Sequence, residues 1–279
     1  MFTYIDPSVR ERLVEQGKLI RIDRDGERIA MDAPSGGGSI SILGPIPLPL
    51  QMGEKHFEVQ WYACVRNTEL SKIQELADDL IAQHAQRSFA TLASSIAVNS
   101  VLVIGEPDKW TNPLIRVHSS CLTGDVFGSQ RCECGPQLDS AIDLIDNDDE
   151  GGLLIYMSGH EGRGIGLWAK AATYVLQDGG EDTYQANRSL GLPDDSRDFS
   201  DAATLLKYFR GSGPFRLLTN NPKKIEDLST AGLTEITPVK HVFGVTRSNR
   251  QYLAAKRDWG HQIGDEGRCV ERDGLRLDF

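Results

Sequence analysis

The sequence predicts an α/β or mixed α+β architecture between about residues 100 and 265. In this part of the chain, short apolar runs typical of strands alternate with segments whose apolar residues recur at helical spacing. One such pair is LLIYM (153–157) and, after a glycine-rich loop, Leu167, Ala171 and Tyr174 at helical spacing. The chain shows no internal repeat.

Each element of this alternation has its own signal. The predicted strands are VLVIG (101–105), LIRV (114–117), LLIYM (153–157) and FRLLT (215–219). The predicted helices begin near Pro136, Leu167, residue 200 and Pro222. Proline is favoured at a first helical position because its fixed φ suits the helix and its missing N–H has no helical partner there.

The region before residue 100 carries fewer signals. The alternating segment FEVQWYACV (57–65) predicts a strand. A capping-box pattern at Ser71 predicts a helix that begins there. Val9, Leu13 and Ile20 indicate a short amphipathic piece.

Composition excludes several classes of protein. The chain has 279 residues, of which 39% are hydrophobic and 25% charged, so neither disorder nor a collagen-like repeat is expected. No apolar run approaches the roughly 20 residues that span a membrane, and the amino terminus lacks a secretory signal, so we expect a cytoplasmic protein. The net charge of −10 argues against a nucleic-acid polymer as partner, and an anionic substrate would need local basic groups.

Three of the five cysteines, Cys121, Cys132 and Cys134, lie close together in the sequence. Their spacing differs from the two ligand pairs of a zinc finger. Three thiolates suit Zn²⁺ and leave the fourth tetrahedral position for water, as in a catalytic site. Three small buried residues near a strand and a turn are the alternative. His118 either completes a closed four-ligand site or packs within its own strand.

Several basic residues lie in or beside turns that could hold a phosphate, since guanidinium binds phosphate in a two-pronged manner. They are Arg116, Arg131, Arg163, Arg197, Lys223 and Lys224. The loop GHEGRG (159–164) precedes a predicted helix and offers backbone N–H groups, but it matches neither a P-loop nor a Rossmann fingerprint. Taken singly, each segment is also explained as an ordinary turn or a surface ion-pair cluster.

Taken together, these segments resemble GTP cyclohydrolase II of riboflavin biosynthesis over about residues 112–265. The matching segments are RVHS (116–119), CLTGDVFGSQRCECGPQL (121–138), EGRGIGL (161–167), YVLQDGGEDTYQAN (174–187), RDF (197–199) and LLTNNPKK (217–224), with weaker similarity in LPLQMGEKHF (48–57). The resemblance implies αβα layers around a mixed β-sheet, with an amino-terminal extension. It divides the chain into an extension packed on the core (1–95), a catalytic domain (96–265) and a carboxy-terminal tail (266–279).

The resemblance also implies an activity. It is the zinc-dependent hydrolytic opening of the guanine ring of GTP, which yields a diaminopyrimidine ribosyl phosphate, formate and pyrophosphate. One zinc ion per subunit, held by Cys121, Cys132 and Cys134, activates water to attack C8 of the base. Mg²⁺ accompanies the substrate polyphosphate, and the family forms homodimers.

Roles for individual residues follow from the same resemblance. Arg197 matches a residue that attacks the α-phosphorus, although guanidinium has a pKa above 12, so electrostatic stabilisation is the rival role. Asp195 matches the general base, and Tyr174 a tyrosine that hydrogen-bonds during ring opening. The expected substrate contacts are Arg116, Val117, His118, Ser119, Ser120, Gln137, Glu161, Gly162, Arg163, Thr183, Thr219 and Lys224.

The chain departs from the family pattern around one pocket. Ser120 stands where the family usually has Glu, and Gly159-His160 stands where it usually has Arg-Gln. Such losses change the hydrogen-bonding groups that meet the base. A second interpretation is therefore a diverged homologue that hydrolyses another nucleobase or nucleotide, such as uracil or UMP. A third is a non-catalytic nucleotide-binding protein, against which an open metal position argues.

Overall fold

The computed structural model describes residues 5–34, 38–70, 97–246, 248–258 and 260–261. The helix predicted from Ser71 and the predicted tail (266–279) lie outside these ranges. The described helices are α1 (Pro7–Glu15), α2 (Cys134–Asp146), α3 (Leu167–Asp178), α4 (Thr183–Ser189), α5 (Ser200–Arg210), α6 (Pro222–Thr230) and α7 (Arg250–Asp258). Among these described helices, none combines the length and the apolar character that crossing a membrane requires.

The described strands form one mixed sheet. They are β1 (Leu19–Ile22), β2 (Arg28–Ile29), β3 (Ile40–Met52), β4 (Lys55–Arg66), β5 (Asn99–Ile104), β6 (Leu114–Ser119), β7 (Gly152–Met157), β8 (Phe215–Leu218) and β9 (Ile236–Val239). Their order in the sheet is β2-β1-β3-β4-β5-β7-β6-β8-β9. Pairing is antiparallel from β2 as far as β7 and parallel from β7 through β6 and β8 to β9.

The amino-terminal strands continue the sheet of the predicted catalytic region. β4 pairs with β5, with Trp61 opposite Leu102, so residues on both sides of position 96 share one sheet. The division at that position stays a prediction. Near the amino terminus, helix α1 ends before Gly17, which adopts φ +65°, and Ile20 belongs to β1 instead of the helix.

Apolar residues are buried on both faces of the sheet. Successive side chains of a strand point to opposite faces. In β7, Leu153 and Ile155 accordingly join one buried cluster, with residues of α5 and α6, and Leu154 joins the other, with residues of α2. Helices therefore cover both sides of the sheet, which confirms the predicted αβα layering around a mixed sheet.

This topology brings three chain segments to one edge. β6, β7 and β8 run parallel, and their carboxyl ends lead into Cys121, the turn Ser158–Gly164 and Thr219 respectively. Loops at the carboxyl ends of parallel strands meet at the same side of a sheet, where α/β proteins bind ligands.

Candidate active site

A cleft of about 140 Å³ opens at these carboxyl ends. The predicted site residues that line it are Arg116, His118, Ser119, Ser120, Cys121, Cys132, Cys134, Gln137, Gly162, Arg163, Tyr174, Thr183, Arg197, Thr219 and Lys224. Three predicted residues do not line it. The side chain of Val117 lies in the core of the sheet, Glu161 bonds to Lys170, and Asp195 bonds to Arg197.

The three predicted metal ligands come together at one end of this cleft. The sulfur atoms of Cys121, Cys132 and Cys134 lie within 4.8 Å of one another, and those of Cys121 and Cys132 are 3.6 Å apart. A tetrahedral zinc ion with Zn–S bonds of about 2.3 Å would separate its sulfur ligands by about 3.8 Å. The spacing and chemistry of these donors therefore fit Zn²⁺.

A buried carboxylate, Asp125, holds the loop that carries the first of these cysteines. Asp125 accepts hydrogen bonds from the backbone N–H of Cys121 (2.9 Å), the hydroxyl of Tyr156 (2.9 Å) and Nε2 of His118 (3.1 Å). Burial lowers the pKa of His118, although the hydrogen bond to Asp125 opposes the shift. His118 thus bonds to Asp125 from strand β6 and lies outside the sulfur group. This geometry agrees with the interpretation of His118 as a strand residue that is hydrogen-bonded locally.

Gly124 leaves room for the sulfur atoms. A β-carbon at this position would lie 2.8 Å from Sγ of Cys132 and 3.1 Å from Sγ of Cys121. A side chain here would press on the cluster from one side, which explains why the loop has glycine at this point.

Helix α3 brings a lysine and a tyrosine to the sulfur group. Nζ of Lys170 donates to Sγ of Cys121 (3.0 Å) and to Glu161 (2.6 Å), and the hydroxyl of Tyr174 lies 3.1 Å from that of Thr123. Hydrogen bonds from the other two thiols and the charge of Lys170 lower the pKa of Cys121. Sequence reasoning missed Lys170. Its signal was the i, i+4 spacing from Lys170 to Tyr174, which puts both on one helix face.

Two buried cations stand at the other end of the cleft. Arg116 donates to the carbonyl of Leu218 (2.7 Å) and to Oε1 of Gln137 (2.9 Å), and Lys224 donates to the carbonyl of Val117 (2.6 Å). Burial lowers the pKa of Arg116 to about 10 and the pKa of Lys224 well below its ordinary value. Because these partners are neutral, burial disfavours the charged forms of both side chains, and an anion bound in the cleft would stabilise them.

Arg197 differs because it has a carboxylate partner. Its Nε and Nη2 donate to the two oxygens of Asp195 (2.9 and 2.5 Å). Burial alone would raise the pKa of Asp195, but the hydrogen bonds and charge of Arg197 lower it overall. Asp195 is therefore an ionised carboxylate engaged with Arg197.

Other predicted phosphate-binding residues have different surroundings. Arg163 stacks on the ring of Tyr184, 4.0 Å from its centroid, and also lies over the ring of Tyr252. Arg131 stacks on Tyr174 and pairs with an exposed aspartate. Lys223 lies outside the cleft and pairs with Asp227 along helix α6.

Comparison with known proteins agrees with this geometry. The sequence model of the GTP cyclohydrolase II family matches residues 83–240, more than half of the chain. The chain belongs to the GTP cyclohydrolase II family. The Riboflavin biosynthesis protein RibBA of Mycobacteroides abscessus is 49% identical over 178 residues, which are 62% of this chain and 42% of that relative. The Monofunctional riboflavin biosynthesis protein RIBA 3, chloroplastic, of Arabidopsis thaliana is 48% identical over 159 residues, 57% of this chain and 31% of that relative. The chain thus spans less than half the length of these curated relatives.

Ser120 and His160, the side chains at the predicted departures from the family pattern, are both hydrogen-bonded within the protein. The hydroxyl of Ser120 donates to the carbonyl of Ser158 (3.0 Å). Both ring nitrogens of His160 have partners, in Ser119 and in the backbone of Asp198. Both side chains also line the cleft, and no contact among the described residues favours a pyrimidine over a purine.

Helix α7, beyond the segment that the cyclohydrolase II model matches, supplies a wall of the cleft. Tyr252 and Lys256 line it, as does His261, which follows the helix. Lys256 forms an ion pair with Glu133, which lies between two cysteines of the sulfur group and is 3% exposed. These residues were not predicted, because nothing in the sequence links position 256 to position 133.

Proposed function

We propose that this chain is a zinc-dependent GTP cyclohydrolase that opens the guanine ring of GTP and releases formate and pyrophosphate. The observation that carries the proposal is that the sulfur group and the basic side chains of Arg116, Lys224 and Arg197 line one cleft. A site with a metal ligand set at one end and basic side chains at the other suits a substrate with a hydrolysable ring and a polyphosphate.

Cys121, Cys132 and Cys134 would hold one Zn²⁺, since their sulfurs have the required spacing. When bound, zinc supplies the Lewis acidity that activates water at neutral pH. Lys170 compensates negative charge on Cys121, and Glu161 in turn fixes Lys170. The protein therefore orients the ligand set through side chains that are themselves held.

Tyr174 is the residue beside the sulfur group best suited to act on the opening ring. Burial raises the pKa of its phenol, so at neutral pH the hydroxyl keeps its proton and can donate a hydrogen bond. The hydroxyl of Thr123, 3.1 Å away, is a hydrogen-bond partner that restrains the Tyr174 hydroxyl. We assign to Tyr174 the hydrogen bond to the base during ring opening.

The cations at the other end would bind the polyphosphate, and Mg²⁺ would be held mainly by phosphate oxygens of the substrate. Asp195 holds Arg197 in a two-pronged ion pair, and a guanidinium group is ordinarily protonated at neutral pH. A charged guanidinium has no lone pair for attack on phosphorus. We therefore assign to Arg197 the electrostatic stabilisation of the transferring phosphoryl group. Asp195 orients this guanidinium in the proposed mechanism.

The test is an assay of the purified chain with Zn²⁺, Mg²⁺ and GTP, in which formate and pyrophosphate are measured separately. The proposal predicts both products in equal amounts. UMP, UTP and uracil are offered in parallel reactions. Loss of ring absorbance with a pyrimidine only, or binding of GTP without either product, would contradict the proposal. Light scattering on the same sample tests the homodimer that the family resemblance implies.

A further inference from the structure

A chain of hydrogen bonds joins His160 to Arg197 through a serine. Nη1 of Arg197 donates to Oγ of Ser119 (3.4 Å), and Oγ of Ser119 lies 3.1 Å from Nδ1 of His160. On the far side of the imidazole, Nε2 lies 3.0 Å from the backbone carbonyl oxygen of Asp198. The ring of His160 is 6% exposed and packs edge-on against Phe199, so the side chain has little freedom.

These contacts fix where the protons lie. The carbonyl of Asp198 can only accept, so Nε2 of His160 carries a hydrogen. Burial, reinforced by the charges of Arg197 and Lys224 and opposed by Asp195, lowers the pKa of His160 to about 4, so the ring is neutral at pH 7. Nδ1 is then an acceptor. The Ser119 hydroxyl donates to it and turns an oxygen lone pair toward Arg197.

Arg197 is thereby held from two sides. The carboxylate of Asp195 binds Nε and Nη2, and the hydroxyl of Ser119 accepts from Nη1. If the imidazole acceptor were removed, the Ser119 hydroxyl would be free to rotate and to point its proton at the guanidinium. Only the contact with Asp195 would then orient Arg197.

We propose that His160 is a positioning residue for Arg197 and acts through Ser119. The inference rests on the proposed function in one respect, since it takes Arg197 as the group that meets the substrate phosphate.

The first test needs no turnover. In ¹⁵N NMR spectra of the zinc-loaded protein at pH 7.5, with His160 assigned by comparison with His160→Gln, the proposal predicts the Nε2–H tautomer. The signal of the Arg197 Nη1, which bonds to Ser119, should also shift in His160→Phe, whereas that of Nη2, which Asp195 holds, should change much less. An Nδ1–H tautomer, a charged ring, or unchanged Arg197 signals in His160→Phe would overturn the proposal.

The second test uses matched variants. His160→Phe preserves the ring packing but removes the acceptor, and Ser119→Ala removes the link. Each should lower kcat for pyrophosphate release from GTP by about 10- to 100-fold, with a much smaller change in KM, because a misplaced catalytic group slows the reaction more than it weakens binding. The double variant should be no slower than the slower single variant, since both changes break one chain.

His160→Gln should stay within about threefold of the wild-type kcat, because glutamine also offers one acceptor and one donor. Ser158→Ala is the matched control. Its buried hydroxyl has no partner among the described residues, and its removal should leave kcat unchanged.

The outcomes separate the two proposals. A wild-type protein that forms no formate or pyrophosphate contradicts the proposed function, and the NMR result still decides the role of His160. An active wild type with full kcat in both His160→Phe and Ser119→Ala contradicts the positioning role alone. If His160→Phe does not fold, the positioning role is decided by the kcat of Ser119→Ala and by the tautomer of His160 in the wild-type protein.

Discussion

At one end of the cleft, three sulfur ligands come from a single segment, residues 121–134, whereas the cations at the other end come from β6, the loop before α5 and helix α6. The sulfur end is held by a local loop whose polar atoms are largely bonded. The cation end depends on the parallel pairing of β6 and β8, since Arg116 bonds to Leu218 and Lys224 to Val117. Local sequence therefore brings the three sulfur atoms together, and sheet topology brings the basic side chains together.

The largest expected effect comes from removing one of the three cysteine sulfur atoms. Cys132→Ser should abolish stoichiometric zinc binding and lower formate release at least about 1000-fold, because water is then no longer activated. Zinc content is measured by mass spectrometry and formate by enzymatic assay. Cys64→Ser is the control, since Cys64 is buried in β4 away from the cleft and its loss should leave zinc in place. Full formate release by metal-free Cys132→Ser would refute the metal mechanism.

A smaller effect is expected from the cation end. Arg197→Ala should lower pyrophosphate release by about 100-fold or more while zinc content stays unchanged, because one preorganised charge on the phosphoryl group is lost. The rate of pyrophosphate release by Arg197→Lys should lie between those of the wild type and Arg197→Ala. Lysine keeps the positive charge but lacks the planar group that donates two parallel hydrogen bonds. Arg188 forms a similar forked pair with Asp194 at the surface, so Arg188→Ala should leave the rate unchanged. Equal rates for Arg197→Ala and wild type would remove Arg197 from the chemistry.

The smallest expected effect is a pH-dependent contribution of His160 to the free energy of unfolding. The pKa of His160 falls from 6.5 to about 4 on folding, so between these pH values the unfolded chain binds a proton that the native protein does not. Stability is therefore lost as pH falls through this window, and His160 should account for about 2 kcal/mol of the decrease in the free energy of unfolding between pH 7 and 5. Urea unfolding of wild type and His160→Gln at both pH values measures the difference, in which any contribution of zinc cancels. A decrease of the same size in both proteins would contradict this assignment.

The elements of the fold that could be predicted are those that a single local sequence pattern identifies. Strands β5 to β8 are short apolar runs, and helices α2 and α6 carry proline in the first turn. Residue patterns alone did not indicate strand β3, because Pro45, Pro47 and Pro49 normally argue against a strand. They are tolerated because β1 pairs with β3 only as far as Leu43, so beyond that point β3 bonds to β4 alone.

Helix α4 was missed although its capping box, Asp182 with Gln185, is readable in the sequence.

The candidate site also has a part that the sequence predicts and a part that it does not. The cysteine group was predictable because its members lie close in the chain. The ion pair of Lys256 with Glu133 joins residues that are distant in the sequence, and so does the bond of His160 to Ser119. Contacts of this kind follow from the tertiary fold and leave no spacing to recognise.

The central claim is that three sulfur atoms hold one zinc ion in the cleft that also receives the phosphates of GTP. The most direct measurement is a crystal structure of the protein with zinc and a non-hydrolysable GTP analogue, with diffraction data collected at the zinc absorption edge. The account predicts a single anomalous peak in the cleft about 2.3 Å from the sulfurs of Cys121, Cys132 and Cys134, with phosphate oxygens on Arg116, Arg197 and Lys224. A cleft without such a peak, or an analogue bound away from these cations, would contradict it.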